Sequence, residues 1–138
     1  MAKQTYTAEL LQTANIFEKT TKARIKDVFY IKDLLTFVVF EGDMFKALGK
    51  NLENLKKVEA LLKRKIKIVE FNRDLITFVK NLIHPYKVES ITFEDGIVYI
   101  KDSNSKTKGL IIGAKAQNLR QYENIVKRYF EIKEVKVI

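Results

Sequence analysis

An internal repeat constrains the fold of this chain more than any other feature of its sequence. Residues 49–64 align without gaps with residues 113–128, and six of the sixteen aligned positions are identical. The identical pairs are Gly49 and Gly113, Asn54 and Asn118, Leu55 and Leu119, Glu59 and Glu123, Lys63 and Lys127, and Arg64 and Arg128. Two generic basic amphipathic helices that each follow a glycine are the alternative explanation. Two copies are too few for a solenoid, so the repeat indicates a small unit that occurs twice.

The hydrophobic pattern of the first copy predicts the element order α-β-β-α-α-β. Thr7 is a typical N-cap, and Leu10, Ala14 and Phe17 are spaced to form one buried helical face. Strands are favoured where β-branched and aromatic residues cluster on both sides of a short hairpin link. The predicted elements are a helix capped by Thr7, strands at 24–31 and 34–40, a short helix at 44–48 that stops at Gly49, a longer helix with Leu55, Val58 and Leu62 on one face, and a strand at 65–71.

The second copy repeats this order. Asp74 is an N-cap, Pro85 prevents continuation of the helix that follows it, and Asp95-Gly96 is a strong hairpin signal. The pattern predicts strands at 88–93 and 97–100, a short helix at 106–112, a longer helix that presents Leu119, Tyr122, Val126, Tyr129 and Phe130 to a core, and a strand at 133–138. The chain is therefore expected to be α+β, with units at 1–72 and 73–138. Residues 72–86 contain no glycine or serine, so we expect the units to pack rigidly.

The composition excludes several classes of function. The 138 residues are 46% apolar, which is enough for a core, but they include no cysteine and a single histidine, His84. These counts exclude disulfide scaffolds, cysteine-bound metals, thiol nucleophiles and histidine clusters. No aspartate spacing demands a metal, so we expect a non-catalytic protein without a cofactor. No apolar run is long enough to span a bilayer, and the polar segment at residues 1–9 is unlike a signal peptide, which favours an intracellular protein without membrane contact.

The chain is basic, with 26 Lys and Arg residues against 17 Asp and Glu residues and a net charge of +9. Residues 46–67 alone have a net charge of +6, because eight basic residues are offset only by Glu53 and Glu59. This concentration of positive charge indicates a surface that binds a series of phosphates, although a Lys-rich solvated helix face would give the same pattern. Lysine exceeds arginine by 21 to 5, which argues against dense bidentate recognition of bases.

Three segments give the chain a family resemblance. They are Phe-Glu-Lys-Thr-Thr-Lys-Ala-Arg-Ile-Lys-Asp at 17–27, Glu-Gly-Asp-Met-Phe-Lys-Ala-Leu-Gly-Lys-Asn at 41–51 and Gly-Leu-Ile-Ile-Gly at 109–113. Together with the element order, they resemble two tandem type II KH domains, as in the archaeal NusA-like transcription factors. The resemblance implies a cytoplasmic protein that binds single-stranded RNA and acts beside RNA polymerase in elongation, termination or antitermination. Two alternatives are a KH pair that docks on polymerase or ribosome with little RNA binding, and a ribosome-associated protein that recognises rRNA by shape.

Both loops depart from the Gly-x-x-Gly pattern of KH domains. The loops read Gly-Lys-Asn-Leu at 49–52 and Gly-Ala-Lys-Ala at 113–116, so Leu52 and Ala116 replace the second glycine. Such loops present backbone N–H groups to phosphates, and Leu52 places four carbons in their path. The resemblance implies an RNA site made of Gly113, Ala114, Lys115, Ala116, Arg120 and Lys127 in the second unit, and of Gly49, Lys50, Asn51, Lys56 and Lys57 in the first.

We expect the two units to unfold together. Units of this size are near the lower limit for independent stability, and no flexible linker separates them. Calorimetry of the full chain should therefore show a single thermal transition. Two separate transitions, or stable folding of the fragments 1–72 and 73–138 in isolation, would contradict this expectation.

Overall fold

The structure, a computed structural model that describes residues 7–138, contains two compact units that divide after Asn72. The first unit consists of α1 (Ala8–Thr21), β1 (Ile25–Ile31), β2 (Leu34–Val39), α2 (Met44–Leu48), α3 (Glu53–Leu62) and β3 (Ile66–Glu70). The second unit consists of α4 (Leu75–Ile83), β4 (Ser90–Glu94), β5 (Ile97–Lys101), α5 (Ser105–Ile112), α6 (Gln117–Lys127) and β6 (Glu134–Val137). The predicted α+β class and the element order α-β-β-α-α-β are therefore confirmed for both copies.

Each unit has a three-stranded mixed sheet. In the first unit β1 pairs antiparallel with β2, and β2 pairs parallel with β3 in the register Phe37 to Ile68. The second unit repeats this topology, with Val98 of β5 opposite Val135 of β6. Parallel neighbours need a long crossover connection, and here the short helix and the long helix provide it. The loop between these two helices therefore lies in the middle of the crossover.

The core of the first unit lies between the helices and one face of its sheet. The rings of Phe17 on α1 and Phe37 on β2 stack with centroids 4.4 Å apart, and both side chains are fully buried. Val58 on α3 joins the same cluster, as does Leu10. The predicted apolar faces of α1 and α3 are confirmed, because Ala14, Leu55 and Leu62 pack against this cluster.

Local hydrogen bonds and turn geometry match the predicted caps and hairpins. The Thr7 hydroxyl accepts a hydrogen bond from the N–H of Leu10 at 3.1 Å, and the Asp74 carboxylate accepts one from the N–H of Thr77 at 3.0 Å. In both hairpin turns the two central residues have positive φ, which matches the right-handed twist of paired strands. These residues are Lys32 and Asp33 in the first unit and Asp95 and Gly96 in the second.

The last helix is shorter than the sequence pattern predicts. It ends at Lys127, so Tyr129 and Phe130 lie beyond it, although we expected both on the helix. The two rings still join the core, with centroids 5.6 Å and 5.8 Å from the ring of Phe78. Apolar spacing alone therefore identified two core residues correctly and placed the end of the helix too late.

Lys67 on β3 is a half-buried cation. Burial, together with the charge of nearby Lys32, lowers the pKa of this lysine to about 8. The folded chain therefore releases this proton near pH 8, whereas the unfolded chain retains it up to its ordinary pKa of 10.5. Burial of the charged Lys67 ammonium group therefore lowers the free energy of unfolding at neutral pH, and this loss of stability disappears as the pH rises.

Replacing Lys67 with Met should raise the free energy of unfolding at pH 7, on the order of 2 kcal/mol, because no charge then has to be buried. The advantage over the wild type should shrink between pH 8 and pH 10, where folded Lys67 becomes neutral. Urea unfolding of both proteins at several pH values measures this difference. A variant that is less stable than the wild type at pH 7 would contradict the proposed cost.

Candidate functional site

The two loops between the short and long helices have nearly the same backbone. The first residue has φ 75° and ψ 170° at Gly49, and φ 76° and ψ 173° at Gly113. The third residue is left-handed in both, with φ 54° and ψ 32° at Asn51 and φ 54° and ψ 31° at Lys115. The repeat detected in the sequence is thus a repeat of loop conformation.

The fourth residue of each loop has a backbone conformation that favours glycine. Leu52 has φ 61° and ψ 22°, and Ala116 has φ 60° and ψ 22°, so both are in the left-handed region. Each donates its backbone N–H to the carbonyl of the first loop residue at 3.2 Å. A residue with a Cβ carries a cost of roughly 1–2 kcal/mol in this region. Both loops therefore adopt this conformation with a residue other than glycine at the fourth position, and they carry the strain that it causes.

A glycine and an asparagine together close the first loop. The side-chain amide of Asn54 donates to the carbonyl of Lys46 at 2.7 Å, which joins the start of α3 to α2. The Gly49 N–H donates to the carbonyl of Phe45 at 2.8 Å. A Cβ at Gly49 would lie 2.8 Å from Cγ of Asn54, so a larger residue would displace the amide.

The second loop is closed in the same way. The amide of Asn118 donates to the carbonyl of Leu110 at 3.2 Å, and the Gly113 N–H donates to the carbonyl of Gly109 at 2.8 Å. A Cβ at Gly113 would lie 2.5 Å from Cγ of Asn118. The glycines and asparagines that are identical between the copies are thus explained by the geometry of the crossover.

The repeated glutamates have a structural role as well. The Glu59 carboxylate accepts a hydrogen bond from the N–H of Ile66 at 3.1 Å, and the Glu123 carboxylate accepts one from the N–H of Val135 at 2.9 Å. Each bond connects the long helix to the start of the strand that follows it. These glutamates consequently fix the long helix and are unsuited to ligand binding.

An aspartate in each unit holds the segment that leads into the short helix. In the first unit the Asp43 carboxylate accepts from the backbone N–H of Arg24 at 2.8 Å, and this hydrogen bond lowers the pKa of Asp43. In the second unit the Asp102 carboxylate accepts from the N–H of Glu89 at 3.1 Å. The pKa of Glu89 is in turn lowered by the hydroxyl of Ser103. Each short helix is therefore anchored to the start of its sheet.

The helices differ in whether a side chain caps the N–H groups at their N-terminus. Side chains cap α1, α4 and α5, through Thr7, Asp74 and Asn104. No side chain caps the short helix α2 or the two long helices, α3 and α6, whose N-caps are the loop residues Leu52 and Ala116. The first turn of a helix has N–H groups without intrahelical partners and a partial positive charge. The N–H groups of Ala116 and Gln117 are already donated to the carbonyls of Gly113 and Ala114, so an anion would bind to the remaining N–H groups of the loop and of the first turn.

The electrostatic surroundings favour the second loop. The first turn of α3 contains Glu53, whereas the first turn of α6 begins with Gln117 and contains no acidic residue. A carboxylate at this position offsets the helix dipole and repels a phosphate. Lys50 and Lys115 are exposed in their respective loops, so each loop has one cation available.

The structure brings together most of the predicted site residues, but not all of them. In the second unit Gly113, Ala114, Lys115, Ala116 and Arg120 lie in the loop or the first turns of α6, and in the first unit Gly49, Lys50, Asn51, Lys56 and Lys57 lie at the equivalent places. Lys127 is at the far end of α6, about 15 Å from the loop at 1.5 Å per residue. Its ammonium group lies 3.5 Å from the Glu123 carboxylate, which makes Lys127 the weakest member of the set.

Sequence reasoning missed an apolar feature of the first loop. Phe45, which precedes this loop, is 75% exposed, and Leu52, its last residue, is 45% exposed. The repeat places Gly109 and Ala116 at the same positions of the second unit. The aligned sequences contained this difference, but exposure of Phe45 could be learned only from the structure.

Residues 7–138 contain neither a candidate metal site nor a membrane-spanning helix. This part of the chain holds no group of three or more His, Cys, Asp or Glu residues placed to bind a metal ion. None of its helices is both long enough and apolar enough to cross a membrane.

Comparisons with known proteins identify relatives in archaea. A protein of Methanocaldococcus jannaschii named probable transcription termination protein NusA is 32% identical over 142 residues, which cover 100% of this chain and 77% of the relative. Proteins of the same name in Methanococcus vannielii and Thermoplasma acidophilum are 31% identical over 134 residues and 29% identical over 128 residues. These alignments cover 94% and 88% of this chain, and 77% and 87% of the relatives.

The fold is also found in a solved structure. The crystal structure of APE1850 superimposes with a TM-score of 0.68 and 27% sequence identity, over 96% of this chain and 100% of that one. The tandem type II KH arrangement expected from the sequence is thereby confirmed. No protein-family model matches the chain.

The left-handed fourth residue of the loop gives a stability test. Replacing Ala116 with Gly should raise the free energy of unfolding by up to about 1 kcal/mol, because relief of strain exceeds the entropy that glycine adds to the unfolded chain. Ala114 in the same loop does not have a positive φ, so Ala114→Gly is a matched control that should lower stability by about 0.5–1 kcal/mol. Urea unfolding of both variants measures the difference, and equal losses in both would contradict the strain.

Proposed function

The chain belongs to the archaeal NusA-like family of transcription factors, and we propose that it binds single-stranded RNA without catalysing a reaction. The observation that carries this proposal is the uncapped first turn of α6 behind the exposed loop at 113–116. Helix N–H groups, a positive dipole and an adjacent lysine form an anion site, and RNA presents a regular series of phosphates. The net charge of +9 favours the same class of ligand.

In the second unit, the backbone N–H of Ala114 and the ammonium group of Lys115 would hold a phosphate, whereas the N–H of Gly113 is already donated to the Gly109 carbonyl. Arg120, exposed on the following turns of α6, would add to the positive field. The small side chain of Ala116 lets the ligand approach the backbone closely. About four nucleotides would be in contact with one such loop. Lys127 would contribute only at long range, because it is distant from the loop and paired with Glu123.

In the first unit, attraction would come from side chains more than from the backbone. Lys50, Lys56 and Lys57 are exposed, so they would raise the local concentration of RNA. The exposed Leu52 side chain would obstruct a phosphate that approaches the loop backbone, and the negative charge of Glu53 offsets the positive end of the α3 dipole. Fields act over about 8 Å at physiological salt, whereas a hydrogen bond from the loop backbone requires contact. We therefore assign the stronger phosphate site to the second unit.

RNA polymerase is the protein partner that we propose, because the relatives are named for transcription termination. The protein would act in the cytoplasm on RNA that leaves the enzyme, in elongation, termination or antitermination.

The second candidate is a pair of units that docks on polymerase or ribosome with little affinity for RNA. The exposed apolar side chains beside the first loop favour this candidate. Titration of the purified protein with short single-stranded RNAs distinguishes the two.

RNA binding should be mainly electrostatic and only weakly selective for sequence. Lysine-rich surfaces attract phosphates without the rigid hydrogen-bonding geometry that reads bases. A plot of log affinity against log salt concentration should fall with a slope of about 0.7 for each phosphate neutralised. Titrations of several short RNAs over a range of salt concentrations measure this slope. A flat salt dependence with sharp discrimination between the RNAs would contradict the expectation.

The two loops should differ in their contribution to RNA affinity. Replacing both Ala114 and Lys115 with Asp should weaken binding more than replacing both Lys50 and Asn51 with Asp, because only the second loop permits close backbone contact. Each double variant lowers the net charge by three, so the comparison is matched for charge. Fluorescence anisotropy with one labelled RNA measures both affinities. An equal or larger loss from the first-loop variant would show that charge density determines the site.

A further inference from the structure

Phe45 is exposed beyond what the fold explains. Of the exposed large apolar side chains in residues 7–138 it has the largest exposed fraction, 75%, followed by Leu61 at 60%. The equivalent position of the second unit is Gly109, so the duplicated unit folds without a side chain at this position. The phenyl ring is exposed to solvent and is not required by the fold. It is therefore a candidate for contact with a ligand.

The backbone that carries this ring is fixed on both sides. The carbonyl of Phe45 accepts from the Gly49 N–H at 2.8 Å, and the carbonyl of the next residue, Lys46, accepts from the Asn54 amide at 2.7 Å. These two hydrogen bonds tie the end of α2 to the loop and to α3. A ring held on a rigid backbone loses little conformational entropy when a ligand packs against it.

The residues around the ring suit a nucleotide. Lys46 follows Phe45 directly and Lys50 lies in the adjoining loop, and both are exposed cations. Leu52, the last residue of the loop, is 45% exposed and adds an apolar surface. Aromatic rings flanked by basic side chains bind unpaired nucleotides, with the base on the ring and the phosphates near the cations.

We propose that Phe45 is a stacking platform for one unpaired base of the bound RNA. This inference rests on the RNA binding proposed above. A base that lies on Phe45 does not have to approach the loop backbone, so Leu52, which obstructs a phosphate, does not obstruct a base. The two units then use the same loop geometry for different contacts, a base in the first unit and a phosphate in the second.

The test compares substitutions at one exposed position. Phe45→Ala should weaken binding of a short labelled single-stranded RNA about tenfold, as expected for loss of one base stack. Phe45→Trp keeps an aromatic surface and should retain the affinity, whereas Phe45→Leu keeps only an apolar surface and should not. Phe93→Ala is the matched control, because it removes a ring that is 46% exposed on β4 and belongs to neither loop, and it should leave the affinity unchanged.

A fluorescent purine analogue placed in the RNA reports stacking directly. Its emission should be quenched by the wild-type protein and by Phe45→Trp, but not by Phe45→Leu. If RNA binds to the wild type and Phe45→Ala or Phe45→Leu binds equally well, the platform is disproved while RNA binding stands. Unchanged affinity in these variants is also the result expected if the ring contacts a protein partner. Absence of any RNA binding by the wild type would overturn the proposed function and the platform together.

Discussion

The hydrogen bond from an asparagine amide to a carbonyl of the short helix determines the geometry of each unit. It holds two helices together across a four-residue loop, and it fits only because the first loop residue has no Cβ. Gly49 with Asn54, and Gly113 with Asn118, repeat this arrangement. The loop conformation, the start of the long helix and the crossover between parallel strands all follow from this contact. Because the contact does not involve the fourth loop residue, the loops persist without their second glycine.

The two loops share one backbone conformation but differ in the size and charge of their side chains. Both loops stand before a long helix whose first turn lacks a side-chain cap, so both could offer N–H groups to an anion. The second loop has small residues and no acidic residue there, whereas the first has Phe45, Leu52 and Glu53 around the same backbone. The conformational cost of a left-handed fourth residue is similar in the two units. The difference in RNA contact that we propose for the two loops therefore rests on side-chain size and charge.

Periodicity and turn residues predicted the helices and strands to within about two residues, because those signals are local. The end of α6 was missed because Tyr129 and Phe130 continue the apolar spacing after the helix has stopped. The role of Asn54 was not predictable either, since its amide bonds a carbonyl eight residues earlier in the chain. Neither the repeat nor the family resemblance could show that Lys127 lies at the far end of α6 and pairs with Glu123.

The central claim is that phosphates are bound by the loop and first helical turn of the second unit. Nuclear magnetic resonance of the amide-labelled protein, titrated with a short single-stranded RNA, tests it residue by residue. The account predicts that the backbone amide signals of residues 114–118 shift more than those of residues 50–54. Shifts that are larger at residues 50–54, or that are confined to lysines outside both loops, would contradict it.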